Sequence, residues 1–386
     1  MQVHLTLQLA LMGLLAALLP LSIVWTSTNV DRYRKLALVT LFLTFDLIVF
    51  GGFTRLTDSG LGCPDWPGCY GQANPLQAHA DISAAQAALP SGPVTVMKAW
   101  IEMIHRYLAM AVGVLIVGLM VVAWRRWWLA RRLALPGAPA PASFSPWLPT
   151  ILFAFVCLQG AFGAWTVTLK LQPIVVTTHL LLGLGLLGLL TWLVAQQTVP
   201  PQSLAPATAS LRAPALLALA LLVVQLALGG WVSTNYAALA CTDFPLCHGE
   251  VIPSMDYAHG FAPWRQLGMT SSGEYLPFPA LTAIHWTHRN FAFVVSAAIL
   301  WAGLRARRID GLRGHGNALM AALGLQCLIG VATIYLAWPL ALAVAHNAGA
   351  ALLVGVLVML NYKAFAAARK PVQRPASWLG RLIPTL

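Results

Sequence analysis

Apolar runs, each about as long as a bilayer crossing, alternate along this chain with shorter polar segments. A spanning helix needs about 20 mostly apolar residues. Nine stretches qualify, near 5–25, 36–54, 100–124, 147–166, 174–195, 213–233, 280–304, 317–337 and 340–362. Composition agrees: hydrophobic residues make up 59% of the 386 positions and charged residues only 9%, a balance a soluble chain of this length could not keep in water. The pattern predicts an all-α integral membrane protein.

The basic residues orient it. One set of connections holds Arg32, Arg34 and Lys35, then Arg125, Arg126, Arg131 and Arg132, then Arg212, then Arg305, Arg307, Arg308 and Arg313, and finally Lys363, Arg369, Lys370, Arg374 and Arg381. The opposite set holds only Arg55, Lys98, Lys170 and Arg265, with Arg106 and Arg289 just inside helices. By the positive-inside rule the first set is cytoplasmic. The net charge of +12 is then mainly a topology signal that also suits anionic lipid, and it calls for no nucleic-acid partner. The first stretch, Leu5 to Trp25, lacks the basic n-region of a secretory signal, since Met1-Gln2-Val3-His4 carries no Lys or Arg. It reads as a retained helix with its N-terminus outside, preferred over a cleaved signal.

An internal repeat organises the rest. Gly51-Gly52-Phe53-Thr54 runs into Cys63-Pro-Asp-Trp-Pro-Gly-Cys69, and Gly229-Gly230-Trp231-Val232 into Cys241-Thr-Asp-Phe-Pro-Leu-Cys247, at a constant offset of 178. Further on, Ile104-His105-Arg106 answers Thr287-His288-Arg289, Gln159–Gly163 answers Gln326–Gly330, and Thr178-His179 answers Ala345-His346. The expectation is two parallel four-helix bundles related by a pseudo-twofold axis along the membrane normal, plus one extra N-terminal helix. The expected divisions are 1–30 for that helix, 31–198 for the N-terminal half, 199–214 for a Pro-rich cytoplasmic linker, 215–366 for the C-terminal half and 367–386 for a basic tail.

Each half supplies one histidine on its second helix and one on its fourth, five to eight residues from the outer end of the span, or about 8 to 12 Å deep at 1.5 Å per residue. An ionisable residue at that depth is a functional candidate. A single one reads more simply as an interhelical hydrogen bond, but four at one level, paired by the repeat, favour ligation. Two imidazoles facing across a bundle can take both axial positions of a heme iron. Zinc wants four clustered ligands, and each half offers two histidines. Arg106 and Arg289 follow the second-helix histidines and suit heme propionates, with snorkelling to the headgroups as the alternative.

The halves differ three residues before those histidines, on the same helix face: Glu102 precedes His105, and His285 precedes His288. A carboxylate beside a heme edge can take protons and stabilise developing positive charge. The first half therefore reads as reactive and the second as electron-holding; the alternative for Glu102 is a salt bridge with Lys98 or Arg106. Asp46 reads as pairing with a neighbouring helix, with a proton route as the second choice. Cys157 and Cys327 read as apolar fillers within helices. Cys63, Cys69, Cys241 and Cys247 lie in the two long outer loops, where such pairs oxidise. Four cysteines allow three connectivities, the short spacing favours Cys63–Cys69 and Cys241–Cys247, and a metal site made by all four is the alternative.

Taken together, Gly51-Gly-Phe-Thr-Arg-Leu-Thr-Asp-Ser-Gly-Leu-Gly-Cys-Pro-Asp-Trp66, the Glu102-Met-Ile-His105-Arg106 motif, the four single histidines and the paired loop cysteines resemble the heme A synthase family, from about Tyr33 to Phe365. The resemblance implies oxidation of the C8 methyl of heme O to a formyl group, giving heme A for terminal oxidases. It implies substrate heme on His105 and His179 with Glu102 as the catalytic acid, a heme b cofactor on His288 and His346, and a redox role for Cys63 and Cys69. It also implies a bacterial inner (cytoplasmic) membrane with the cysteine loops outside, heme O synthase and oxidase assembly factors as partners, and admits a homo-oligomer. The helix at 5–25 departs from the family's eight-helix pattern. Two rivals are a diheme b-type electron-transfer cytochrome, which has no need of Glu102, and a membrane heme carrier.

Overall fold

The computed structural model describes residues 2–26, 31–132 and 145–368; the end of the expected basic tail, from residue 369, lies outside them. The described residues form eleven α-helices: α1 (Gln2–Trp25), α2 (Arg32–Leu56), α3 (His79–Ala88), α4 (Val96–Arg132), α5 (Trp147–Thr168), α6 (Pro173–Thr198), α7 (Arg212–Thr234), α8 (Tyr257–Gly260), α9 (Phe278–Arg307), α10 (Arg313–Tyr335) and α11 (Leu340–Ala368). Among these residues there is no strand, only isolated bridges such as Cys69 with Gln72 and Cys247 with Glu250. The short helices α3 and α8 stand in the two loops and were not expected from periodicity.

Local chemistry places the ends. The Asp31 side chain accepts from the Tyr33 N–H at 2.9 Å and caps α2. Pro173 opens α6 and Pro279 sits in the first turn of α9, where a missing N–H costs nothing. Arg126 near the end of α4 donates to Asp31 at 2.7 Å, so α2 starts where α4 finishes. Helix α4 overruns its expected limits: 37 residues make about 55 Å, well beyond a hydrocarbon core of about 30 Å, and its last turns carry Arg125, Arg126, Arg131 and Arg132.

Among the described residues eight helices are long and apolar enough to cross a membrane: α1, α2, α4, α5, α6, α7 with the turn before it, α10 and α11. The protein is therefore a multi-pass membrane protein. The ninth expected span is formed as α9, 30 residues long, but its polar run from His285 through Asn290 lowers its hydropathy. Large apolar side chains such as Leu18, Phe42, Leu217 and Phe293 are exposed on the outer faces of the helices, as lipid contact requires.

Helix α2 packs against α4 and α6, and α5 packs against the same two. Likewise α7 and α10 each pack against α9 and α11. Helix α11 also meets α2 and α6, α6 meets α7, and α1 lies along α4 and α2. Two apolar cores result. Leu115, Ile116, Leu152 and Leu190 centre one, and Leu222, Ile299, Leu319 and Leu357 centre the other. A third cluster ties α1, through Leu9, to Cys63, Cys69 and Met103. The linker folds into two 3-10 turns, Pro201–Ser203 and Pro206–Leu211, which pack on α11.

Two expectations are corrected. Cys157 and Cys327 are free and exposed, not core fillers, though Cys327 Sγ on α10 still meets Ser296 Oγ on α9 at 3.7 Å. Asp46 is exposed on α2 and pairs with no neighbouring helix among the described residues, because its side of α2 turns away from them.

Candidate functional site

His105 stands on α4 and His179 on α6, the two helices that share α2 and α5 as neighbours. His288 stands on α9 and His346 on α11, which share α7 and α10. A glycine of a shared neighbour faces every one of these imidazoles. A β-carbon added at Gly51 would lie 2.9 Å from His105 Nε2, and one at Gly163 3.3 Å from His179 Cε1. The same carbon at Gly229 would lie 3.0 Å from His288 Cε1, and at Gly330 3.2 Å from His346 Cε1. The repeat marked these glycines in the sequence without giving them a task; the structure shows they make room for the histidine rings.

Glutamines form a second layer. Gln159 Nε2 donates to the His179 carbonyl at 3.1 Å, and Gln326 Nε2 to the His346 carbonyl at 3.0 Å. Gln225 Nε2 donates to the His288 carbonyl at 3.1 Å and lies 3.1 Å from His288 Nδ1. Gln225 was not singled out in the sequence, although a glutamine in an apolar run four residues before Gly229 was a usable signal. His179 Nδ1 and His346 Nδ1 are buried without a hydrogen-bond partner. A buried imidazole is normally satisfied, so these atoms fit histidines whose partner is a bound group. Phe50 stacks on His105 with ring centroids 6.3 Å apart. Among the described residues no three His, Cys, Asp or Glu side chains gather as a metal-binding cluster.

Both cysteine pairs are local disulfides, Cys63–Cys69 and Cys241–Cys247, with no four-cysteine metal site. Each loop is pinned by one aspartate: Asp65 accepts from Tyr70 N and Gly71 N at 2.6 and 2.7 Å, and Asp243 from His248 N and Gly249 N at 2.7 and 2.9 Å. The Gly249 and His248 N–H groups hold the Asp243 carboxyl below the usual carboxylate range.

These loops reach the helices through the residues that distinguish the halves. Glu102 is buried, with 4% of its surface exposed. Its Oε2 accepts from Cys63 N at 2.8 Å, and its Oε1 pairs with Arg106 Nη2. Arg106 Nη1 also donates to the carbonyls of Asp65, Pro67 and Gly68 at 3.1, 3.3 and 2.6 Å. Lys98 takes no part; its Nζ donates to the Gly92 carbonyl. In the other loop His285 Nδ1 accepts from Cys241 N at 3.1 Å, and Arg289 Nη2 donates to the Leu246 carbonyl at 3.0 Å. Arg289 Nη1 is buried without a partner. Across the two loops, Arg55 donates to the Ser233 carbonyl at 2.8 Å, and Tyr236 donates to Asp58 at 2.6 Å.

The arrangement offers two pairs of half-buried imidazoles, one beside a buried carboxylate and one beside a third, buried imidazole, each under a disulfide loop. Comparison with known proteins places it. A family model described as cytochrome oxidase assembly protein matches residues 34–358. The heme A synthase of Shewanella oneidensis is 40% identical over 329 residues, covering 84% of this chain and 94% of that protein. The heme A synthase of Caulobacter vibrioides is 30% identical over 357 residues, 86% of this chain and 97% of that protein, and one from a Methylobacterium species is 31% identical over 373 residues, 89% and 96%. With the family model and these relatives each spanning most of its length, the chain belongs to the heme A synthase family of cytochrome oxidase assembly proteins.

Proposed function

We propose that this chain oxidises the C8 methyl of heme O to a formyl group, giving heme A for terminal oxidases. Substrate heme is held by His105 and His179, and a heme b cofactor by His288 and His346. The observation that carries this reading is the asymmetry beside the histidine pairs: buried Glu102 three residues before His105, and His285 in its place before His288. A pure electron carrier gains nothing from burying one carboxylate beside only one of two heme sites.

The packing of α4 and α6 on common neighbours, repeated by α9 and α11, supports two four-helix bundles about a pseudo-twofold axis. The divisions are 31–198 and 215–366, with the segment 1–30 that carries α1, the linker 199–214 and the tail 367–386 outside them. Nine crossings, α9 included, put the disulfide loops on the outer side of a bacterial inner membrane and the arginine-rich ends in the cytoplasm. A crossing by α9 is tolerable because His285 is buried and Asn290, though exposed, donates its amide to the Trp286 carbonyl at 2.9 Å.

A heme bound at His288 and His346 supplies one-electron exchange. The chain's own residues do the rest. The glycines admit the rings, Gln159, Gln225 and Gln326 fix the helix segments that carry them, and Glu102 accepts or returns a proton at the substrate edge while its loop contacts orient it. The propionate contact is assigned to Arg289, whose free Nη1 needs an anion; Arg106 is taken up by Glu102 and three carbonyls. Extraction of pigment from the purified protein tests this reading. Heme O, its hydroxylated form and heme A together with heme b agree with it, whereas heme b alone points to an electron-transfer cytochrome.

A further inference from the structure

We propose that the end of the molecule opposite the disulfide loops holds a binding site for the phosphate of an anionic phospholipid headgroup, centred on Lys363. The sequence counts Lys363 only as one more basic residue near a helix end. In the structure it is 8% exposed, and its Nζ lies 2.7 Å from His315 Nε2. An ammonium only donates, so His315 accepts there as a neutral ring and supplies no countercharge. Two further N–H groups of Lys363 remain to be used. Burying a cation without an anion is costly, yet Lys363 joins none of the ion pairs among the described residues.

Beside it is a cavity of about 270 Å³, walled by Thr198, Ser203, Thr208, Asp310 and Gly311 as well as Lys363. Gly311 stands at φ 79°, and its N–H has no backbone partner among the described residues. The walls come from the end of α6, the two 3-10 turns of the linker and the turn between α9 and α10. Basic pockets between membrane helices on the cytoplasmic side bind lipid headgroups, and Arg212 and Arg313 begin α7 and α10 while Arg305 and Arg307 end α9 at this same end. The repeat does not require the lysine: Lys363 follows His346 by 17 residues, and the residue 17 after His179 is Gln196. Asp310 in the wall opposes an anion and so weakens the site.

Native mass spectrometry of the full-length protein, released from nanodiscs containing phosphatidylglycerol or phosphatidylcholine, tests the proposal. Wild-type protein should retain one phosphatidylglycerol that K363M loses, with affinity lower by about tenfold or more, the usual worth of one charge-assisted hydrogen bond. D310N, which removes the opposing charge and leaves the lysine, should bind phosphatidylglycerol more tightly than wild type. Equal retention by wild type and K363M, or weaker binding by D310N, overturns the site. Inorganic phosphate added in excess to protein in phosphatidylcholine should not raise its thermal stability; a rise that K363M abolishes would overturn the lipid source in favour of a soluble phosphate.

Discussion

Replacing Glu102 by Gln separates the two tasks the structure gives this side chain. Its carboxylate serves two donors at once, Cys63 N–H at 2.8 Å on Oε2 and Arg106 on Oε1. A glutamine has one acceptor oxygen, so one donor loses its partner, at a cost of about 1–3 kcal/mol. Arg106 keeps its three carbonyl contacts, and a loss of that size leaves a domain of typical stability, about 5–15 kcal/mol, folded. Both hemes should stay bound. If Glu102 acts in the chemistry, removing one general acid or base lowers the rate by about 10² to 10⁴, and heme O or its hydroxylated product accumulates in place of heme A. The assay is chromatography of hemes extracted from cells, with heme content and thermal stability of the purified variant measured alongside. Arg106→Gln is the control, because it breaks the same ion pair and leaves the carboxylate. Near-normal heme A from Glu102→Gln, or equal loss of oxidation in the two variants at equal heme content, refutes the catalytic assignment and leaves Glu102 as the anchor of the disulfide loop.

His346→Ala and His288→Ala should each remove one axial ligand of the retained heme and lower its low-spin absorbance; an unchanged spectrum in both variants overturns that ligand pair. Gly229→Ala sets a methyl 3.0 Å from His288 Cε1, an overpacking cost of about 1–3 kcal/mol, so heme occupancy should fall, whereas Gly113→Ala, with open space around its β-carbon, should change nothing. Equal occupancy in the two glycine variants would remove the role given to the glycines. The Asp243 carboxyl is held below its ordinary value by Gly249 and His248. Its stabilisation is complete above the unfolded aspartate pKa of about 3.9 and is lost as pH falls through the lower folded value. Limited proteolysis of the second loop should therefore accelerate in acid for wild type, and Asp243→Asn should be susceptible already at neutral pH with a flatter profile; matching profiles would refute the pinning role.

Much of this was legible because lipid imposes strong rules. Apolar length found the long helices, α9 among them, although the chemistry that makes α9 a candidate ligand helix, His285 through Asn290, lowers its hydropathy. The constant offset between Cys63 and Cys241 marked equivalent loops, and their C-x5-C spacing favoured the local disulfides observed. Contacts between distant segments were not legible. Nothing local to Arg106 says that its guanidinium gathers the carbonyls of Asp65, Pro67 and Gly68, because those bonds depend on how the loop folds back onto α4. Gly51 and Gly163 read as repeat markers until the rings of His105 and His179 were seen against them. Lys363 followed the positive-inside pattern, and only the docking of the linker turns beside α11 shows it to be buried. The exposure of Cys157 and Cys327 was missed because helices that face lipid are apolar all round, which hides the outward face from periodicity.

Conversion of heme O into heme A by this chain can be read directly in cells. The full-length protein is expressed in a host that makes heme O but not heme A, and the extracted hemes are separated by chromatography against the same host without it. Heme A, with some hydroxylated intermediate, should appear only in cells carrying the chain. Heme O alone in both, with the protein present in the membrane and loaded with heme, would contradict it.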